Sequence, residues 1–272
     1  MNALFCAVDT IDGVDYLYLF FDGNKMSVYN LDTGELYDRE TNSFTTPRSV
    51  WIDEQTHVVW VSGSSRFLYK YDPATKTGTR IEIPETLFPE AGSFNGAGLV
   101  GGGSGNLYFG TYNTAYFGKF NIATETFTQL TGMLNTDPSM PQDAQRSGWG
   151  GVIIKDGYAY VPNNGNKNND SVATNEILKI DLATNEIVDF VNLSSRMGAN
   201  SYMDYVSLVG DVILASCGKV TTGSLAVDIN TMELIDIPGL EQGYTGTVSE
   251  EIDGKVYMMG ANNVGLLAYD IA

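Results

Sequence analysis

Val28-Tyr-Asn-Leu-Asp-Thr33, Lys70-Tyr-Asp-Pro-Ala-Thr75 and Lys119-Phe-Asn-Ile-Ala-Thr124 are copies of one short pattern. It returns at Lys179-Ile-Asp-Leu-Ala-Thr184, at Ala226-Val-Asp-Ile-Asn-Thr231 and at the terminal Ala268-Tyr-Asp-Ile-Ala272. The Asp or Asn positions are 30, 72, 121, 181, 228 and 270, with separations of 42, 49, 60, 47 and 42 residues. Repeats of about 40–50 residues mark four-stranded propeller blades. The chemistry of the pattern is that of a turn. The Asp or Asn oxygen accepts local amide bonds, Thr adds a second local bond, and the chain reverses into another strand.

Working outward, each copy follows an apolar run that ends in small or polar residues. These runs are Tyr16–Phe21, Val58–Val61, Leu107–Phe109, Tyr158–Val161, Val212–Ala215 and Val256–Met259. A further strand lies upstream, joined by tight turns at Asp12-Gly13, Asp156-Gly157, Gly210-Asp211 and Asp253-Gly254. Asp-Gly suits the positive φ angles of a hairpin. Each unit therefore reads as strand A, turn, strand B, loop, strand C, Asp-x-x-Thr turn and strand D. The expected fold is all-β: a six-bladed β-propeller of four-stranded blades forming a single domain over 1–272. The blades are placed at about 1–43, 44–88, 89–134, 146–192, 201–240 and 244–272, with an insertion at 131–147. The sixth unit stops after strand C, so either that blade has three strands or another segment supplies its outer edge, an open edge that could serve assembly.

Tyr69-Lys-Tyr-Asp-Pro-Ala-Thr75 resembles the Tyr-Asp-Pro-x-Thr element of kelch-like propellers. The chain departs from that family in two ways: the double glycine after strand B is reduced to one glycine or none, and strand D carries no Trp. The resemblance implies a propeller that binds protein or carbohydrate, and it transfers no catalytic residue.

Charge narrows the partners. The formal net charge is −18 and 43% of the 272 residues are hydrophobic, enough for a packed core. Such acidity excludes a general nucleic-acid binder, whose affinity rests on Lys and Arg, and disfavours an anionic membrane. The N-terminus has no basic region and its apolar run ends at Asp9; no stretch is long enough to span a membrane. Cys6 and Cys217 read as two buried free thiols, which suits a reducing compartment, so a cytoplasmic or virion-associated location is expected.

A binding site is expected where the B–C loops and D–A connections open around the central channel. The D–A segments contribute Arg48, Asn95, Arg146, Trp149, Arg196, Asn200, Tyr202, Asp204 and Tyr244, including three of the six arginines. Arg forks and amphipathic aromatics suit a carboxylate, a sugar or a peptide, so an acidic disc would surround a more basic, anion-accepting centre. The alternative is that these side chains plug the channel by pairing with Asp204, Glu250 or Glu251. Two long segments, Thr131–Ser147 and Asn163–Asn175, rise from the same sector.

Other chemistry finds little support. Gly96-Ala-Gly-Leu-Val-Gly101 matches a dinucleotide fingerprint literally, yet a strand follows it rather than a helix, so it reads as a glycine-rich inner strand. His57, the one histidine, reads as a surface residue beginning a strand, and with two distant Cys it makes no zinc set. The Asn-rich loop 163–170 lacks the acidic spacing of an EF-hand. No cofactor or metal is expected. The leading reading is a non-enzymatic interaction propeller for a protein or glycan, and its Tyr, Asn, Thr and Gly content suits a bacteriophage structural or receptor-recognition component. The alternative is a hydrolase or lyase acting on a sugar or anion. There Arg146 and Arg196 would orient the substrate, with Asp204 or Glu250 as acid or base and Asp143 the remaining carboxylate candidate.

Overall fold

A computed structural model describes residues 3–21, 25–41, 47–63, 66–88, 99–101, 105–111, 116–131, 145–147, 151–165, 175–197, 203–217, 224–238, 240, 244–245, 253–260 and 265–270. The chain divides into two compact units, Met1–Leu130 and Thr131–Ala272.

The first unit holds three antiparallel meanders. One joins β1 (Ala3–Ile11), β2 (Val14–Phe21), β3 (Lys25–Asn30) and β4 (Leu36–Thr41). The next joins β5 (Pro47–Ile52), β6 (Val59–Gly63), β7 (Phe67–Asp72) and β8 (Thr77–Glu82). The third joins β9 (Val100–Gly101), β10 (Asn106–Gly110), β11 (Phe117–Asn121) and β12 (Thr126–Thr131).

In the second unit, β13 (Gln145–Ser147) and β14 (Ile153–Lys155) both pair with β15 (Tyr158–Gly165), followed by β16 (Asn175–Asp181) and β17 (Glu186–Asn192). The fifth sheet is β18 (Met203–Val209), β19 (Val212–Cys217), β20 (Ala226–Asp228) and β21 (Glu233–Ile235). The sixth has three strands among the described residues: β22 (Tyr244–Thr245), β23 (Lys255–Gly260) and β24 (Gly265–Asp270). The one described helix is a single 3-10 turn, Ser194–Arg196, and no helix among the described residues is long and apolar enough to cross a membrane. The fold is thus all-β, with six sheets serving as blades.

The repeated turn works through its side chain. Asp72 Oδ1 accepts from Ala74 N at 2.9 Å and Thr75 N at 3.4 Å; Asp181 Oδ1 accepts from Ala183 N at 2.7 Å and Thr184 N at 3.2 Å. Asp228 serves Asn230 and Thr231 in the same way, while Asn30 and Asn121 receive the amides of Thr33 and Thr124. The residue after Thr then takes a positive φ: Gly34, Lys76, Glu125, Asn185 and Met232. The A–B hairpins also follow their chemistry. Asp12-Gly13, Asp156-Gly157 and Asp253-Gly254 have positive φ at both residues, whereas only Gly210 does in Gly210-Asp211, as a turn with glycine first requires.

Burial on both faces explains the apolar strands. In the first unit, Tyr18, Phe20, Met26 and Val28 of the first sheet meet Val59, Val61, Tyr69 and Tyr71 of the second. The opposite face of the second sheet sends Trp60 and Leu68 against Leu107, Phe109 and Phe120 of the third. Trp60 lies 5.4 Å from Phe120, and Phe88 lies 5.5 Å from Phe109, ring to ring. In the second unit, Ile177 and Leu193 pack with Val206 and Ile213, while Leu214 and Ala226 pack with Val256 and Met258. Each such fully buried aliphatic side chain contributes about 1.5–3 kcal/mol of transfer free energy.

Polar ties reinforce these contacts. Lys70 Nζ reaches Glu125 Oε1 at 3.1 Å, and Lys179 Nζ donates to the Ile229 carbonyl at 3.2 Å. Both lysines sit two residues before their own turn Asp, and both targets lie in the turn of the following sheet. Lys155 Nζ donates to the Gly210 carbonyl at 2.8 Å and pairs with Asp211. Hydrogen bonds from Lys155 and Asn230 hold the Asp211 carboxyl below its ordinary range.

Several expectations need correction. Cys6 is exposed: the two faces of β1 alternate, and Cys6, Val8 and Thr10 share the exposed one. The Cys217 side chain lies outside the described residues. The strands β15 and β19 run past Val161 and Ala215 through residues that read as loops, because Asn163 and Ser216 are fully buried and paired within the sheet. Residues 145–147 of the expected insertion, and Asn163 to Gly165 with Asn175 of the expected loop, are strand. Pairing of Arg146 with Asn164 makes the first strand of this blade discontinuous. His57 does not begin a strand: it closes a turn at φ 59 and is half-buried, with Nδ1 2.9 Å from Asp9 Oδ2.

Candidate functional site

Among the described residues, one concavity lies within the first unit, between the second and third sheets. It encloses about 310 Å³ and is lined by Trp51, Asp53, Glu54, Gln55, Gly101, Gly105, Asn106 and Ile122. One wall is a turn. Asp53 Oδ1 accepts from Gln55 N at 2.9 Å and Thr56 N at 3.2 Å, and His57 N donates to the Asp53 carbonyl at 2.7 Å. This is the Asp-x-x-Thr turn again, used between strands A and B. It leaves Glu54 and Gln55 exposed and Asp53 half-buried at the rim.

The floor is set by Trp51. A Cβ built on Gly101 would lie 2.3 Å from Trp51 Cζ2 and 2.4 Å from Cε2, so the indole rests directly on the Gly101 backbone. Only a glycine permits that approach. The far wall is the start of the third sheet, where the Ile122 amide donates to the Gly105 carbonyl at 2.9 Å and Asn121 Nδ2 donates to Asn106 Oδ1 at 3.2 Å. Asn121 thus uses its amide nitrogen here and its oxygen to receive Thr124. The lining holds two carboxylates and no basic side chain, and among the described residues neither Asp53 nor Glu54 forms an ion pair.

The residues singled out from the sequence fall elsewhere. Asn95, Trp149, Asn200 and Tyr202, with Asp143, Glu250 and Glu251, lie outside the described residues. Arg48, Arg146 and Asp204 each hold the second position of the first strand of their sheet, and Tyr244 the first position of its own. Arg196 ends the 3-10 turn. Its Nη1 donates to the Ser224 carbonyl at 2.6 Å and the Ile235 carbonyl at 3.0 Å, and lies 2.9 Å from Asp236 Oδ1. Its guanidinium therefore ties that turn to the fifth sheet. No group of three or more His, Cys, Asp or Glu side chains among the described residues is placed to hold a metal ion.

The cleft was missed because its parts are ordinary in isolation. The available signal was Asp53-Glu-Gln-Thr56, a copy of the turn motif out of step with the repeat and directly after a Trp-Ile pair.

No protein-family model matches the chain, and no curated protein sequence matches it. Solved structures do. The chain is similar to the Cps50 (Swd1) β-propeller domain of Myceliophteria thermophila over 99% of its own length and 97% of that chain, at 9% identity and a TM-score of 0.55. It is similar to BamB from Moraxella catarrhalis over 99% of its length and 76% of that chain, at 14% identity and a TM-score of 0.61. The Dos1 propeller matches over 98% of this chain and 67% of that one, at 11% identity and a TM-score of 0.59. With the six meander sheets, these likenesses define the chain as a β-propeller.

Proposed function

We propose that this chain is a non-enzymatic binding propeller whose partner is a protein. One observation carries the reading: a cleft of about 310 Å³ between adjacent blades, floored by an indole and walled by a rigid, self-capped turn. That volume lies at the small end of the range for ligand pockets and leaves room for one inserted side chain. The aromatic ring suits protein recognition, and the carboxylates around it suit a partner surface of complementary, basic charge. Arg48 in the first unit and, separately, Arg146, Asp204 and Tyr244 in the second are proposed as further contact positions, each by its place at the start of a blade's first strand. Kinship to kelch-like propellers is likewise proposed on Tyr69–Thr75, whose Asp72 cap supports the turn that resemblance implies.

The immobilised chain is expected to retain a protein from a lysate of its source, and that protein, once purified, to bind directly and saturably. Gln55→Trp, which fills the cleft from an exposed turn position, should weaken that binding with unchanged circular dichroism. Failure of every candidate to bind the wild-type chain saturably would sink the proposal.

A further inference from the structure

We infer that the cleft beside Trp51 receives an arginine side chain from a basic segment of the partner protein. The inference rests on the proposed binding function and names the chemistry of the contact. Asp53 and Glu54 bring two carboxylates to the lining, and no Lys or Arg there neutralises them. Asp53 Oδ1 is occupied by two backbone amides, which fixes the direction of its second oxygen. Glu54 stands exposed beside it. Gly101 holds one part of the indole surface against the backbone while Trp51 still lines the cavity.

A guanidinium matches this set of groups. It is planar and permanently charged, it stacks on an indole face, and its forked donors fit a carboxylate. A neutral sugar would also stack on Trp51, but it would leave both carboxylates uncompensated. The net charge of −18 adds long-range attraction for a basic segment, and that attraction is sensitive to ionic strength. An arginine in the cleft would be held by the indole below and the turn carboxylates beside it.

The test uses the full chain and N-acetyl-arginine methylamide as probe, followed by nuclear magnetic resonance at low salt. The Trp51 indole N–H signal is identified by its loss in Trp51→Phe. That signal and the Gln55 side-chain amide should shift saturably, with a dissociation constant on the order of 1 mM for one isolated side chain. The citrulline analogue, isosteric but uncharged, should leave both signals unmoved. Asp53→Asn with Glu54→Gln should weaken the probe roughly tenfold through lost charge. Its fold is preserved because Asn30 and Asn121 already cap the same turn. Equal shifts with citrulline, retained affinity in the double variant, or saturable binding of methyl glucoside in place of the arginine probe would each overturn the inference. Partner capture reads the binding function separately: a retained partner with no arginine response rejects the arginine contact alone, and no partner at all rejects the parent reading.

Discussion

Replacing Gly101 by Ala should destabilise the protein through one ring. Gly101 has an ordinary negative-φ backbone, so alanine is not excluded by conformation. The new Cβ would lie 2.3, 2.4 and 2.8 Å from Trp51 Cζ2, Cε2 and Nε1. Carbon atoms rest at about 3.5–4.0 Å, so the indole must retreat by roughly 1 Å or more. Trp51 cannot do so freely, because it packs on the cluster built from Trp60, Leu107 and Phe120 and pairs across the sheet with Trp60. Overpacking of this kind costs about 1–3 kcal/mol. Loss of glycine's freedom in the unfolded chain returns about 0.4–1 kcal/mol, leaving a net loss of about 1–2 kcal/mol. At this chain length the midpoint of thermal unfolding should fall by roughly 2–8 °C.

Urea unfolding followed by circular dichroism measures the loss, and a double-mutant cycle assigns it. In a Trp51→Ala background the clash is absent, so Gly101→Ala should be neutral or slightly stabilising. An equal loss in both backgrounds would refute the ring as the cause.

Three further outcomes follow from the same geometry. Asp181→Ala should cost about 1 kcal/mol in chemical unfolding, since two amides at 2.7 and 3.2 Å lose their acceptor, whereas Asp181→Asn should be nearly neutral, as Asn serves this turn twice. Burial raises the hydroxyl pKa of Tyr71 and of Tyr18 above the ordinary phenol value of 10.0, with the 2.6 Å bond to Asp38 adding to it for Tyr71. Raised folded values mean that stability is flat below about pH 10 and falls above it by up to about 1.4 kcal/mol per pH unit for each tyrosine; Tyr71→Phe should reduce that alkaline slope in urea titrations. Arg196→Met should cost about 2 kcal/mol, because its charge-assisted bonds to Ser224 and Ile235 are partly buried, while Lys70→Met, which breaks a more exposed pair, should cost under about 1 kcal/mol and less in high salt.

What was legible in the sequence was local. The Asp72 and Asp181 turns bond within three residues, so spacing alone exposes them, and their recurrence sets the number of sheets. The cleft was not legible because Trp51 and Gly101 lie fifty positions apart, and no pattern in either segment says that one ring lies on the other. Polar residues misled for a different reason. Asn163 and Ser216 favour loops by propensity, yet register places them inside β15 and β19, where Ser216 Oγ accepts the Tyr205 amide at 3.0 Å. Cys6 shows the complementary failure: an apolar run announces a strand without saying which of its faces meets solvent.

The lysine ties carry an evolutionary consequence. Lys70 and Lys179 each leave their own blade to grip the turn of the next one, at Glu125 and at the Ile229 carbonyl. A blade copied or transplanted by itself would therefore arrive with a donor and no recipient. The smallest module that can be duplicated, or exchanged between propellers of this kind, without severing such a grip is a blade together with the turn of its successor. Of the two grips, the one closed by a backbone carbonyl is the more portable, since any residue at position 229 would supply it, whereas Lys70 demands an acid at 125.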